Sequence, residues 1–198
     1  MVEVGFKSIT EFGNTGVFTS PWFPEIVLPK MEWINHYGVD TVFSIGVREP
    51  FVLNGVRFFP LINKDGLVPF PSFEEIAKTK KKNLLIQCSA GYHTSVSYAV
   101  YYVAKNSNLS AEKINKFLVG LVGKNNASIV KGLLKIYGNG ATIEGLVKLR
   151  IETKKRLFSK FYEKFNSRMK LKSNYKKDVS GNKKNKFSFK NLVNHKHK

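Results

Sequence analysis

The short apolar run Leu84–Gln87 passes without a break into Cys88-Ser89-Ala90-Gly91-Tyr92-His93-Thr94-Ser95. From Thr94 to about Lys105, Val96, Ala99, Val100, Val103 and Ala104 recur on one helical face. A buried strand that turns through small residues straight into a helix belongs to few architectures. Strand and helix patterns alternate up to this point, which predicts an α/β domain built on a mostly parallel central sheet flanked by helices.

The preceding pieces fit that frame. Val4–Phe12 and Gly16–Thr19 read as short strands around a Gly13-Asn14 turn. Pro21, Pro24 and Pro29 impose a loop, Lys30–Tyr37 reads as a short helix closed by Gly38, and Asp40–Gly46 and Val56–Leu61 read as strands. Ser72 is placed to cap a helix Phe73–Lys78. After residue 105 the pattern turns helical: Ser110 opens one helix, Asn126 or Ser128 a second that ends at Gly138, and Thr142 a third. In the third, Leu146, Val147, Leu157, Phe158, Phe161, Phe165 and Met169 recur at three- and four-residue steps, opposite Lys160, Lys164 and Arg168. Periodicity ends near Ser173. The sequence therefore divides into an α/β domain over 1–150, a basic amphipathic helix over 151–172 whose apolar side is suited to docking on the domain, and a basic flexible tail over 173–198.

The 198 residues suffice for one domain of roughly 150 residues plus an appendage. No apolar run reaches the ~18 residues that would cross a bilayer, and the first residues lack a signal pattern. Cys88 is the only cysteine, so no internal disulfide is possible, which fits an intracellular, cytoplasmic protein. Charge is unevenly spread. Residues 151–198 carry 16 Lys and Arg against 3 Asp and Glu, a net +13 out of the chain's +19. Such a concentrated excess calls for an anionic partner.

The Cys88–Ser95 stretch is where chemistry is expected. Backbone N–H groups at a helix start converge on one concavity, and the helix dipole adds positive potential there. An anion is the natural occupant, and the same field favours the thiolate of Cys88 as a nucleophile. Gly91 supplies the backbone freedom of a tight turn around that anion.

The segment resembles the phosphate-binding signature of the cysteine-dependent tyrosine and dual-specificity phosphatase family, His-Cys-Ser-Ala-Gly-x-Gly-Arg-Thr, with Cys88, Ser89, Ala90 and Gly91 matching in order. Met31–Pro69 is similar to the family's helix, strand, strand and acid-loop series, and Pro60-Leu61 and Asp65-Gly66-Leu67-Val68-Pro69 echo its Pro-Ile-x-Asp and Gly-x-Val-Pro elements. The resemblance covers about residues 15–150. It implies a phosphatase-like fold, Cys88 as nucleophile, Asp65 as general acid, and Ser89, Ala90, Gly91, Tyr92, His93 and Thr94 around a phosphorylated ligand. No cofactor or metal is implied.

The departures from the signature bear on activity. The arginine's place, six residues after the cysteine, holds Thr94, and no Arg or Lys lies between Gly91 and Ala104. With a loop one residue shorter, His93 takes the arginine's place and Thr94 that of the following hydroxyl. Arginine grips two phosphoryl oxygens with a planar fork, whereas neutral histidine offers one donor. Loss of an oxyanion donor costs on the order of 10²–10³ in rate. Gln87 stands where the family has histidine, and Asn63 falls on the acid position unless an insertion brings Asp65 there. Three lesions in one site imply a catalytically impaired relative, a pseudophosphatase, with an active cysteine-dependent phosphatase of phosphoproteins or RNA 5′ phosphates, Cys88 its nucleophile, as the alternative. Asp65 reads equally as a turn residue before Gly66, His93 as a loop histidine, Arg48 as a salt-bridge partner of Glu49, and Trp22 and Trp33 as packing residues.

The extension points elsewhere. Lys154, Lys155, Arg156, Lys160, Lys164, Arg168, Lys170 and Lys172 stud the helix, and Lys176, Lys177, Lys183, Lys184, Lys186 and Lys190 follow, interleaved with Tyr175, Phe187 and Phe189. Lysines neutralise phosphates and aromatics stack on bases, so nucleic acid, structured RNA or a ribonucleoprotein, is the expected partner. The predominance of lysine over arginine favours backbone contact over sequence readout.

Overall fold

The structure, a computed structural model, describes residues 10–13, 15–21, 32, 34–46, 55–64, 66–78 and 83–181, with side chains followed as far as Met169. The segments containing Trp22, Trp33, Arg48 and Asp65 lie outside the described residues, as does everything beyond Gly181. The chain divides into two compact units, Met1–Ile151 and Glu152–Lys198.

The first unit holds a five-stranded sheet in the order β1-β2-β7-β3-β4. Its members are β1 (Thr10–Glu11), β2 (Val17–Pro21), β3 (Val39–Ser44), β4 (Arg57–Pro60) and β7 (Asn83–Cys88). β2, β7, β3 and β4 run parallel and β1 antiparallel. Between β4 and β7 a small hairpin, β5 (Ile62–Asn63) and β6 (Gly66–Leu67), precedes helix α1 (Phe70–Lys78). The helices that follow are α2 (Thr94–Asn106), α3 (Ala111–Tyr137) and α4 (Ile143–Gly181).

Alternation along the strands explains both faces. Leu84, Ile86 and Cys88 of β7 pack with Phe43, Val96, Val100 and Ile114 in one buried cluster, while Leu85 joins Phe18, Ile34, Val39 and Val42 in the other. The central strand is thus covered on both sides, which is why Leu84, Leu85 and Ile86 run apolar without alternation. At the strand's far end, Asn83 Nδ2 donates to Tyr37 O at 2.5 Å and the Leu84 N–H to Gly16 O at 2.7 Å.

The helix expected from Ser72 instead starts at Phe70, and Ser72 lies inside its first turn. Pro71 is tolerated there because a first-turn N–H has no intrahelical partner to lose, and Phe73 N–H already closes onto Pro69 O at 3.0 Å. Ser110 does cap α3, its hydroxyl accepting from Lys113 N–H at 3.3 Å. The two helices read from Ser110 and from Asn126 or Ser128 are continuous apart from Gly123, whose φ of 78° and ψ of 163° break the helical path. α4 follows Thr142, which accepts from Gly145 N–H at 3.1 Å, and runs to Gly181, beyond the point where the apolar periodicity fades. Buried Arg150 donates to Ala104 O at 3.1 Å and Leu109 O at 3.0 Å, fastening the start of α4 to the end of α2.

Candidate functional site

The loop that follows Cys88 is held by the strand it leaves. Cys88 lies abreast of Pro21 on β2, in the middle of the parallel sheet and at its carboxyl end, where ligands of such sheets bind. Gly91 turns the chain with φ +73°, and a Cβ there would stand 2.5 Å from Pro21 N and 2.9 Å from Ser20 C. Only glycine lets the loop approach β2 this closely. The return leads into the 13-residue helix α2, whose N-cap, His93, makes no side-chain capping bond. Its early N–H groups are therefore not satisfied from that side chain, which is the electrostatic condition for receiving an anion.

Cys88 is buried, 5% exposed. Sγ accepts from Gly91 N–H at 3.2 Å and stands 3.2 Å from the hydroxyl of fully buried Ser95, to which a thiol donates and from which a thiolate accepts. The hydroxyl beside the sulfur thus belongs to Ser95, seven residues on, and not to Thr94. Thr94 is the first residue of α2. Ser95 is the functional candidate that reading the shorter loop obscured; the signature's final hydroxyl position could have found it.

His93 is engaged with α3. Its Nε2 lies 2.9 Å from Asn126 Oδ1, while Asn126 Nδ2 donates to Val122 O at 2.9 Å. Since the amide's nitrogen is committed as donor, Oδ1 accepts and His93 Nε2 carries the proton. The bond ties the loop to the turn just after the Gly123 break. Asn126→Ala is expected to lower stability by about 1 kcal/mol, with Asn126→Asp, which keeps the acceptor, recovering most of it in urea unfolding.

Ser89, Ala90 and Tyr92 are exposed, so the turn opens outward and Tyr92, 53% exposed, offers an aromatic face beside it. Gln87 donates from Nε2 to Ser44 Oγ at 3.0 Å, a buried link between β7 and β3. The β5–β6 hairpin is attached at the same end of the sheet: Leu61 N–H donates to Ser44 O at 2.7 Å and Val68 N–H to Leu61 O at 2.9 Å. The hydroxyl of fully buried Tyr98 on α2 donates to Val68 O, and burial pushes that phenol's pKa upward. Exposed Asn63 pairs with Gly66 across the hairpin. Asp65 lies outside the described residues. Among the described residues no His, Cys, Asp and Glu group could hold a metal ion.

In the second unit Lys154, Lys155, Arg156, Lys160, Lys164 and Arg168 are exposed on α4. Lys170, Lys172, Lys176 and Lys177 continue its backbone, and Lys183, Lys184, Lys186 and Lys190 fall outside the described residues. Among the described residues no helix is long and apolar enough to cross a membrane.

No family model and no curated protein matches the sequence. Among solved structures, the chain is similar to the human tyrosine phosphatase-like serine/threonine/tyrosine-interacting protein, with 14% identity over 65% of this chain and 97% of that one, at a TM-score of 0.47. It is also similar to DUSP15, with 13% identity over 73% of this chain and 95% of that one, at a TM-score of 0.49. The likeness to TpbA of P. aeruginosa spans 68% of this chain and 86% of that one, at 15% identity and a TM-score of 0.46. All three are likenesses of fold.

Proposed function

We propose that this chain is a phosphatase-like binding module with impaired catalysis, whose Cys88 loop holds a phosphoryl group and whose basic C-terminal extension docks on structured RNA or a ribonucleoprotein. The observation that carries the first half is a threonine at the start of α2, in the arginine's place, beside a loop that otherwise keeps its sulfur, its glycine turn and its Ser95 hydroxyl. Such a loop can still offer backbone N–H groups to an anion. It has lost the bidentate fork that stabilises charge on a phosphoryl group in flight. The extension's excess of lysine supports the second half, and the lone cysteine suits a reducing intracellular setting.

Hydrolysis of an aryl phosphate by the wild type, Cys88→Ser and Thr94→Arg tests the loop. The wild type is expected at background. Thr94→Arg is expected to raise turnover by about 10²-fold, as regaining one oxyanion donor would. Wild-type turnover that disappears in Cys88→Ser would overturn impairment. It would favour the second reading, an active phosphatase in which the Cys88 thiolate displaces the leaving alcohol from phosphorus and water then releases phosphate from sulfur. That reading is favoured by the two polar hydrogens available to the sulfur. RNA docking is tested by salt titration: affinity for a structured RNA should fall steeply between low and moderate salt and drop when residues 170–198 are removed. A shallow salt dependence, or affinity unchanged by the truncation, would overturn it.

A further inference from the structure

One surface is not accounted for by phosphoryl or RNA binding. On α4, within the second unit, Phe158 is 78% exposed, Phe161 69%, Tyr162 67%, Phe165 52% and Met169 53%. At about 100° per residue these five side chains share an arc of about 100°, a continuous apolar stripe roughly 17 Å long. Leu157, 63% exposed, lies at its margin. Lys164 and Arg168 border the stripe on one side and Lys155 on the other, while the acids Glu152 and Glu163 project from the opposite face.

We propose that this face docks in the plane of an anionic lipid bilayer. The occupant must remove four aromatic rings and a thioether from water and also offer negative charge along both edges of the stripe. RNA neutralises lysines, but its phosphate-lined surface does not cover a continuous apolar strip. A second copy would cover the strip only by bringing together two segments of net charge +13 each. An acidic bilayer meets both demands: rings enter the boundary between headgroups and acyl chains, and the flanking cations remain among the headgroups. The stripe is too short to span, since crossing takes about 20 apolar residues. The proposal rests on the aromatic stripe of α4, shares Lys155, Lys164 and Arg168 with the RNA reading, and stands whether or not the Cys88 loop turns over.

Flotation of the full chain with vesicles of phosphatidylcholine alone, or with about one third phosphatidylserine, tests it. Binding is expected only to the anionic vesicles. Replacing Phe158→Gln, Phe161→Gln and Phe165→Gln together should weaken it by at least ~10-fold, because binding scales with buried apolar area. Glutamine keeps helix propensity and these side chains are exposed, so circular dichroism and melting should match the wild type. Truncation of 170–198 should weaken RNA binding yet leave an aromatic-dependent vesicle interaction, which separates the two proposals. Three results would overturn the lipid assignment. One is anionic-vesicle binding equal in the wild type and the triple variant, which would make it charge attraction alone. Another is absence of vesicle binding together with RNA affinity that the triple variant loses. The third is a lipid-free dimer that the triple variant abolishes.

Discussion

Gly91→Ala is expected to lower stability by about 2–4 kcal/mol and to abolish anion binding in the Cys88 loop. The effect has two parts. A residue with a Cβ resists φ near +73°, which costs about 1–2 kcal/mol. The new carbon would also stand 2.5 Å from Pro21 N and 2.8 Å from Pro21 Cδ. Those are atoms of a buried strand paired in register with β7, not the end of a mobile side chain. Either β2 yields or the loop swings outward, and an outward swing separates Gly91 N–H from the Cys88 sulfur it now reaches at 3.2 Å. Gly140→Ala is the matched control. It has nearly the same φ, +79°, and open space where the Cβ would go, so it isolates the backbone part. Urea unfolding of the two variants, with phosphate or sulfate titrated against the wild type and Gly91→Ala, reads both effects. If Gly91→Ala proves as mild as Gly140→Ala and still binds the anion, the close approach to β2 does not hold the loop.

The turn was legible in the sequence because its chemistry is local. Ser-Ala-Gly after an apolar strand specifies a tight return, and Ser110 and Thr142 announce their helices within one turn. The parallel sheet followed from alternating strand and helix periods, and Gly123 marks the interruption in the helical stretch after Ser110. What escaped was set by partners distant in sequence. The β5–β6 hairpin is two residues per strand, too short for a period, and it exists because Leu61 and Val68 find backbone partners at the sheet's end. Asn126 looked like a helix start, yet it grips His93, 33 residues away. Gln87 read as a lost histidine, and the fold uses it to cross-link two strands. Arg150, between Leu149 and Ile151, gave no local signal, yet its guanidinium is buried on the carbonyls of Ala104 and Leu109. Periodicity shows which face a residue occupies; it does not show what waits on the other side.

The same limit hid Glu74, whose replacement by alanine is expected to cost about 2–4 kcal/mol, somewhat below the usual figure for breaking a buried pair because Lys105 retains some access to water. Glu74 is 3% exposed on α1. Its carboxylate meets Lys105 of α2, Lys78 at 2.6 Å and, at 3.3 Å, Asn106 Nδ2. Burial alone would raise its pKa. The hydrogen bonds and charges of Lys105 and Lys78 outweigh burial and hold the group below the ordinary carboxylate value. A carboxyl depressed on folding stabilises above its unfolded pKa of about 4.3, and that contribution disappears as pH falls through the lower folded value. Wild-type stability should therefore fall with acid below about pH 4.5, and Glu74→Ala should flatten this component of the slope. At the other end, burial disfavours the Lys105 cation, but Glu74 and Tyr101 raise its pKa overall, so its contribution is present below about pH 10.4 and is lost as pH rises through the folded value. Glu74→Met combined with Lys105→Met removes both charges and should be less destabilised than Glu74→Ala alone, since the half-buried cation no longer lacks its partner and the more exposed Lys78 returns to water. Urea midpoints across pH for Glu74→Ala, and a double-mutant cycle built from Glu74→Met, Lys105→Met and their combination, measure all of this. A double variant as unstable as the sum of the two single changes would mean that the α1–α2 junction depends on packing of these side chains and not on their pairing.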